Sequence, residues 1–175
     1  YRIVNNPEWI SYQSIVKNRK NNFIIKDEFN QFLNEIGMNL NNPKKDNLKL
    51  EDIFIYPDME KREYKKNKVD FTTSIISSEK YFADIIDNPV IIYGDDKYGK
   101  TTLAKKIFLD YYYKGYTPIY IDVAKLKRSD LHENTRLLNS LLRNQYDIQD
   151  IEVNAIKDTI IIIVDNLDKI DSNSR

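Results

Sequence analysis

One stretch concentrates residue types that can do chemistry: Gly94-Asp95-Asp96-Lys97-Tyr98-Gly99-Lys100-Thr101, the G-x4-G-K-[ST] spacing of a phosphate-binding loop. Gly94 and Gly99 permit a tight turn whose backbone N–H groups point inward at phosphate oxygens. The first turn of the helix that follows adds unpaired donors and the positive end of its dipole. Lys100 supplies a point charge for β- and γ-phosphates, and Thr101 a hydroxyl for magnesium. The nucleotide-contacting set is therefore Gly94, Asp95, Asp96, Lys97, Tyr98, Gly99, Lys100, Thr101 and Thr102, with ATP and Mg2+ as the expected ligands. A chance Gly/Lys turn is the plain alternative. The apolar PVIIY before the loop and the amphipathic run after it argue against that. Asp95 and Asp96 are unusual beside a phosphate site, with Lys97 in partial compensation.

A second signal is Ile160-Ile161-Ile162-Ile163-Val164-Asp165, an apolar strand ending in a carboxylate, the Walker B form. Asp165 is the expected magnesium ligand, direct or through water, beside Thr101. Alone, a strand-terminal Asp is weak evidence; paired with the loop it is strong. Asp168 and Asp165 are the candidate catalytic residues. Asp168 either orients or deprotonates the attacking water, or merely caps the following turn. Asn166 stands where many ATPases carry a second acid. Trp9 reads as a core or interface anchor and His132 as a surface helix residue, rather than as ligands.

The elements that must position these groups follow from periodicity. Residues 26–36 have helical spacing (Phe29, Phe32, Leu33, Ile36) with a stop at Gly37, and 39–47 read as a loop or linker. Residues 48–58 alternate as a short strand closed by Pro57, and Lys61 to Lys68 read as a solvated charged stretch. Ser77-Ser78-Glu79 can start a helix carrying Tyr81, Phe82, Ile85 and Ile86. Pro89–Tyr93 is a buried-strand candidate. Residues 100–114 form a helix with two i, i+4 ladders, Leu103/Ile107/Tyr111 and Ala104/Phe108/Tyr112, ended by Gly115. Ile119–Val123 is a strand. Asp130-Leu131-His132-Glu133 resembles a capping box opening a helix with Leu131, Leu138 and Leu142. Ile160–Val164, five β-branched residues in a row, predicts a strand buried on both faces. Strand–helix alternation predicts an α/β fold: a parallel sheet with flanking helices, preceded by a mainly helical segment.

Composition narrows the function classes. The 175 residues carry 27 basic and 27 acidic side chains, so bulk charge gives nucleic acid no support as a partner. The absence of Cys excludes disulfides, thiol catalysis and the usual zinc sites, and a single His excludes a His-rich metal centre. No apolar run approaches a membrane span, which leads us to expect a soluble, cytoplasmic protein without a membrane partner. The chain begins at Tyr1 and ends just after an apolar strand, so a piece of a longer protein is expected. Residues 1–47 would be an N-terminal segment or linker, and 48–175 the first portion of a nucleotide-binding domain.

The combination resembles STAND-class P-loop NTPases, nearest the NACHT-like branch. LEDIFIYPD, VIIYGDDKYGKTTLAKKIF, TPIYIDVAKL and IIIIVDNLDKI carry the resemblance, which covers residues 48–170. In NACHT-like proteins a small residue follows the Walker B Asp, and acids stand three and four residues beyond it. Asp165 and Asp168 match, whereas Asn166 replaces the small residue and Lys169 the last acid. The resemblance implies a multi-domain switch with an upstream effector, for which a calcineurin-like phosphoesterase is the candidate. It also implies a downstream sensor, self-association of the full-length protein, a protein trigger and, as in many bacterial members, defence against phage. It further implies a sheet in which another strand lies between the P-loop strand and the Walker B strand, leaving both with exposed edges here. Two rival readings are a non-hydrolysing nucleotide-binding scaffold and a DNA-processing ATPase.

Overall fold

The computed structural model describes residues 23–37, 45, 48–64, 71–84, 86, 88–127, 133–148, 153, 156 and 159–169. It is a mixed α/β structure. In chain order come β1 (Ile24–Ile25), α1 (Asp27–Asn34), α2 (Leu50–Ile53), β2 (Asp58–Tyr64), β3 (Phe71–Ser77) and α3 (Ser78–Tyr81). Then follow α4 (Lys100–Tyr113), β4 (Thr117–Asp122), α5 (Asn134–Gln145), β5 (Tyr146–Asp147) and β6 (Ile160–Asp165). Three two-stranded sheets result: β1 with β5 and β2 with β3 are antiparallel, and β4 with β6 is parallel.

Helix α4 organises the interior. Its ladder Leu103/Ile107/Tyr111 enters one apolar cluster with Phe82, Tyr56, Ile161 and Ile163. The adjacent ladder Ala104/Phe108/Tyr112 enters a second cluster with Phe29, Leu33, Ile119, Leu142 and Tyr146. A helix apolar on two sides thus joins two cores, as its doubled i, i+4 spacing requires. Gly115 ends it at φ +91°, a left-handed conformation that glycine adopts without strain.

The parallel pair aligns Tyr120 with Ile163 and Asp122 with Asp165, so these residues share a face. The outer edge of β4 is closed by side chains. Gln145 donates through Nε2 to the Tyr120 carbonyl (2.6 Å) and accepts from the Tyr120 N–H at Oε1 (3.0 Å). The Tyr146 hydroxyl donates to the Pro118 carbonyl (2.7 Å). Pro118 lies on the same edge as Tyr120, two residues away, where the N–H it lacks would point away from β6.

Several expectations are corrected. Residues 48–58 are not a strand: Leu50 begins a single helical turn, with the Asp52 carboxylate accepting the Lys49 N–H (2.8 Å) and the Lys45 ammonium (2.6 Å). The strand starts at Asp58 instead and enters the charged stretch as far as Tyr64, paired antiparallel with β3. Pro89–Tyr93 forms no ladder, and Val90, Ile91, Ile92 and Tyr93 are exposed, Ile91 to 76%. An apolar run becomes a strand only when a neighbour supplies backbone partners. β6 is not buried on both faces: α4 covers Ile161 and Ile163, while Ile162 and Val164 on the opposite face are 50% and 44% exposed. The helix expected after Ser77 is a single turn with Phe82 buried and Ile86 packed beside it; Ile85 lies outside the described residues. So do Asp130, Leu131, His132 and Trp9; α5 begins at Asn134 and places Leu138 and Leu142 in the core.

Candidate functional site

The loop from Gly94 to Thr101 leads directly into α4, with Gly99 as the residue before the first helical turn. Gly99 sits at φ +79°, and a Cβ there would meet nothing within 4 Å. Its identity is demanded by backbone conformation, not by space. Lys97 is also left-handed, at φ +68°. Gly94 has no such constraint: its Cβ would make only ordinary contact with Tyr98 at 3.9 Å. The Lys100 ammonium folds back and donates to the carbonyls of Gly94 (2.6 Å) and Asp95 (2.8 Å), closing the loop around itself. Thr101 is exposed on the first turn and Thr102 half-buried behind it; Asp95, Asp96, Lys97 and Tyr98 are all exposed.

The carboxylate at the end of β6 is built differently. Asp165 is buried, and both of its oxygens accept hydrogen bonds: Oδ2 from the Tyr120 hydroxyl (2.5 Å), Oδ1 from the Asn166 N–H (2.9 Å). Asn166 turns at φ +57° and donates its side-chain amide to Asp122 Oδ1 (2.7 Å), tying the ends of β4 and β6. The bond to Asp165, and above all burial, push the Tyr120 phenol far above its ordinary range. Asp168 follows in a short 3-10 turn, Leu167–Lys169, exposed and paired with Lys169 (3.0 Å). Lys169 holds the Asp168 carboxyl below the usual carboxylate range, and Lys100 adds to that effect. In turn, Asp168 and, more weakly, Asp96 hold the Lys169 ammonium above its usual range. The end of β6 and the loop are thus near enough for their charges to act weakly on one another.

A carboxylate held low is a poor base at neutral pH. Magnesium keeps several waters and takes one or two protein ligands beside phosphate oxygens. The donor set fits that demand: a threonine hydroxyl, and a carboxylate with one lone pair left on each oxygen. Among the described residues no group of three or more His, Cys, Asp or Glu is placed to hold a metal by itself.

Residues that sequence reasoning missed stand behind Asp165. They are Tyr120, Asp122, Gln145 and Lys105, the last buried on α4 with its ammonium 4.1 Å from the Phe32 ring centroid. Burial holds the Lys105 ammonium below the ordinary lysine range, against the opposing pull of Glu35 and Asp165. Only Tyr120 carried a signal, a phenol between Ile119 and Ile121. A polar concavity of about 830 Å3 along α5, lined by residues such as Arg136, Asn139 and Arg143, includes none of the loop residues. No helix among the described residues is long and apolar enough to cross a membrane. Compared with known proteins, the chain matches no family model, no curated protein and no solved structure.

Proposed function

We propose that the 94–101 loop binds the phosphates of ATP with Mg2+, and that the chain is an NTPase module of STAND type, NACHT-like, working as a signalling and oligomerisation switch in a bacterial defence protein. The observation that carries this reading is the build of the loop: Gly99 is left-handed at the start of α4, and Lys100, the first helical residue, turns its ammonium back onto the Gly94 and Asp95 carbonyls. Lys100 would meet the β- and γ-phosphates in place of the loop carbonyls it now holds. Thr101 and Asp165 would hold magnesium, which supplies charge neutralisation at the transferred phosphoryl group. Asp168 would orient the attacking water.

The P-loop sheet is part of the proposal. β4 is closed at Tyr120 and Pro118 on its outer edge, which leaves the far edge of β6 as the place where the pair can grow. The apolar residues 90–93 are unpaired as well. An interposed strand, as in the sheets this chain resembles, would satisfy both.

The test is a calorimetric titration with ATP–magnesium. Lys100→Ala abolishes binding, because it removes the charge placed for the phosphates; equal affinity for wild type and variant would sink the reading. The scaffold reading has its own support, since Asp168 is paired with Lys169 and Asn166 replaces a second acid. Sustained phosphate release that depends on Lys100 and slows in Asp168→Ala separates a cycling switch from that scaffold.

A further inference from the structure

Asp165 is linked through one aromatic side chain to an element far away in the chain. The Tyr120 hydroxyl donates to Asp165 at 2.5 Å, with both residues buried. Phe32 of α1 packs edge-on against the Tyr120 ring at 5.4 Å between centroids, and Phe29 lies 6.4 Å from it. The Tyr120 backbone is held as well, since Gln145 accepts from its N–H and donates to its carbonyl. The Phe32 ring also covers the buried Lys105 ammonium, on which the Asp165 and Glu35 carboxylates both act.

We propose that Tyr120 is a positioning residue for Asp165 and that α1, through Phe32, fixes Tyr120, so that seating of helix α1 sets the geometry of the magnesium carboxylate. The consequence for magnesium rests on the nucleotide reading above; the link from α1 to Asp165 does not. A phenol held at a fixed angle leaves each Asp165 oxygen one lone pair in a defined direction. A carboxylate freed of that donor rotates, and a buried hydrogen bond to a charged acceptor is among the stronger interactions a fold makes. The link runs both ways: what disturbs Asp165 loosens α1, and what loosens α1 disturbs Asp165.

Two measurements on the whole chain test this. The first needs no ligand. Asp165→Ala, which leaves Tyr120 without its acceptor, speeds amide hydrogen exchange in residues 27–34 by about fivefold or more, while Asp165→Asn, which keeps an oxygen there, stays near wild type. Exchange in 27–34 that is unchanged in Asp165→Ala, or equally fast in both variants, overturns the proposal. The second titrates magnesium at fixed ATP. Phe32→Leu and Tyr120→Phe each raise the magnesium needed for half-maximal binding by about fivefold, with magnesium-free ATP affinity unchanged. An unchanged magnesium midpoint in both variants overturns the proposal too. Should wild type bind no ATP under any condition, the nucleotide reading falls, and the exchange data alone decide the link.

Discussion

Replacing Gln145 by Leu tests the edge closure on which Tyr120 depends. Gln145 is 3% exposed, and its amide satisfies both backbone groups of Tyr120, at 2.6 and 3.0 Å. Leucine has similar bulk and leaves little cavity, so packing loss is small. What remains is a buried N–H and a buried carbonyl without partners, at about 1–3 kcal/mol each. Allowing for the apolar gain of the new side chain, Gln145→Leu costs about 2–4 kcal/mol. Against a total stability of about 5–15 kcal/mol for a domain, that is a large fraction. Gln145→Glu is the control, since it can still accept from Tyr120 N–H but places a buried carboxylate against the Tyr120 carbonyl; it should be no less damaging. Urea unfolding followed by far-UV circular dichroism reads the loss as a lower midpoint at unchanged slope. A loss below about 0.5 kcal/mol for Gln145→Leu would show that the outer edge of β4 is satisfied in some other way.

Gly99→Ala puts a Cβ on a residue at φ +79° with nothing nearby to clash, so its cost is torsional, about 1–2 kcal/mol in thermal unfolding, and ATP–magnesium affinity falls with it; unchanged stability would show that the loop does not hold this conformation. Thr101→Ala, at an exposed position of the first turn, weakens only the magnesium-dependent part of ATP binding in a paired titration with and without the metal; an equal loss in both would remove Thr101 from the metal. Lys169→Ala raises the Asp168 carboxyl toward its ordinary 3.8, read by NMR titration of its side-chain carbon. Because the folded-state value is depressed, this pair stabilises the fold above the unfolded value, and the contribution is lost as pH falls through the folded one. Both groups are exposed and salt screens them, so an unmoved titration at low ionic strength would show that Lys169 is not the partner.

What could be read from the sequence was local. The doubled ladder of α4 is an i, i+4 pattern, and each row found its own cluster. Helix α1 and strands β4 and β6 lie within a few residues of where periodicity placed them. Failures came where an apolar run had to find a partner. Pro89–Tyr93 and Ile160–Val164 have equally good strand composition, yet only the second meets a neighbour, β4. Asp52 broke the alternation of 48–58 by reaching back to the Lys49 N–H, a short-range competitor that hydropathy does not register. The site divided the same way. Gly99, Lys100 and Asp165 are spaced by a motif, whereas Tyr120, Gln145 and Phe32 come to Asp165 through tertiary packing that no spacing announces.

The two ends of the 94–101 loop are held differently, and on the nucleotide reading this bears on affinity. On the Gly99 side the chain enters α4, whose Leu103, Phe108 and Leu109 are almost fully buried. On the Gly94 side it leaves residues 90–93, which are exposed and outside any ladder. There the holds include the two carbonyl bonds from Lys100 and the Arg62 guanidinium 5.2 Å from the Tyr93 ring. A phosphate that took over the Lys100 ammonium, as the nucleotide reading has it, would remove the first of these, and binding would then order the Gly94 side at its own cost, about 1–2 kcal/mol for each residue fixed. Pairing residues 90–93 within a sheet would meet that cost in advance. On the nucleotide reading, Lys100 supplies the charge that binding cannot do without, and whatever secures the apolar residues just before Gly94 adds to the affinity by lowering that ordering cost.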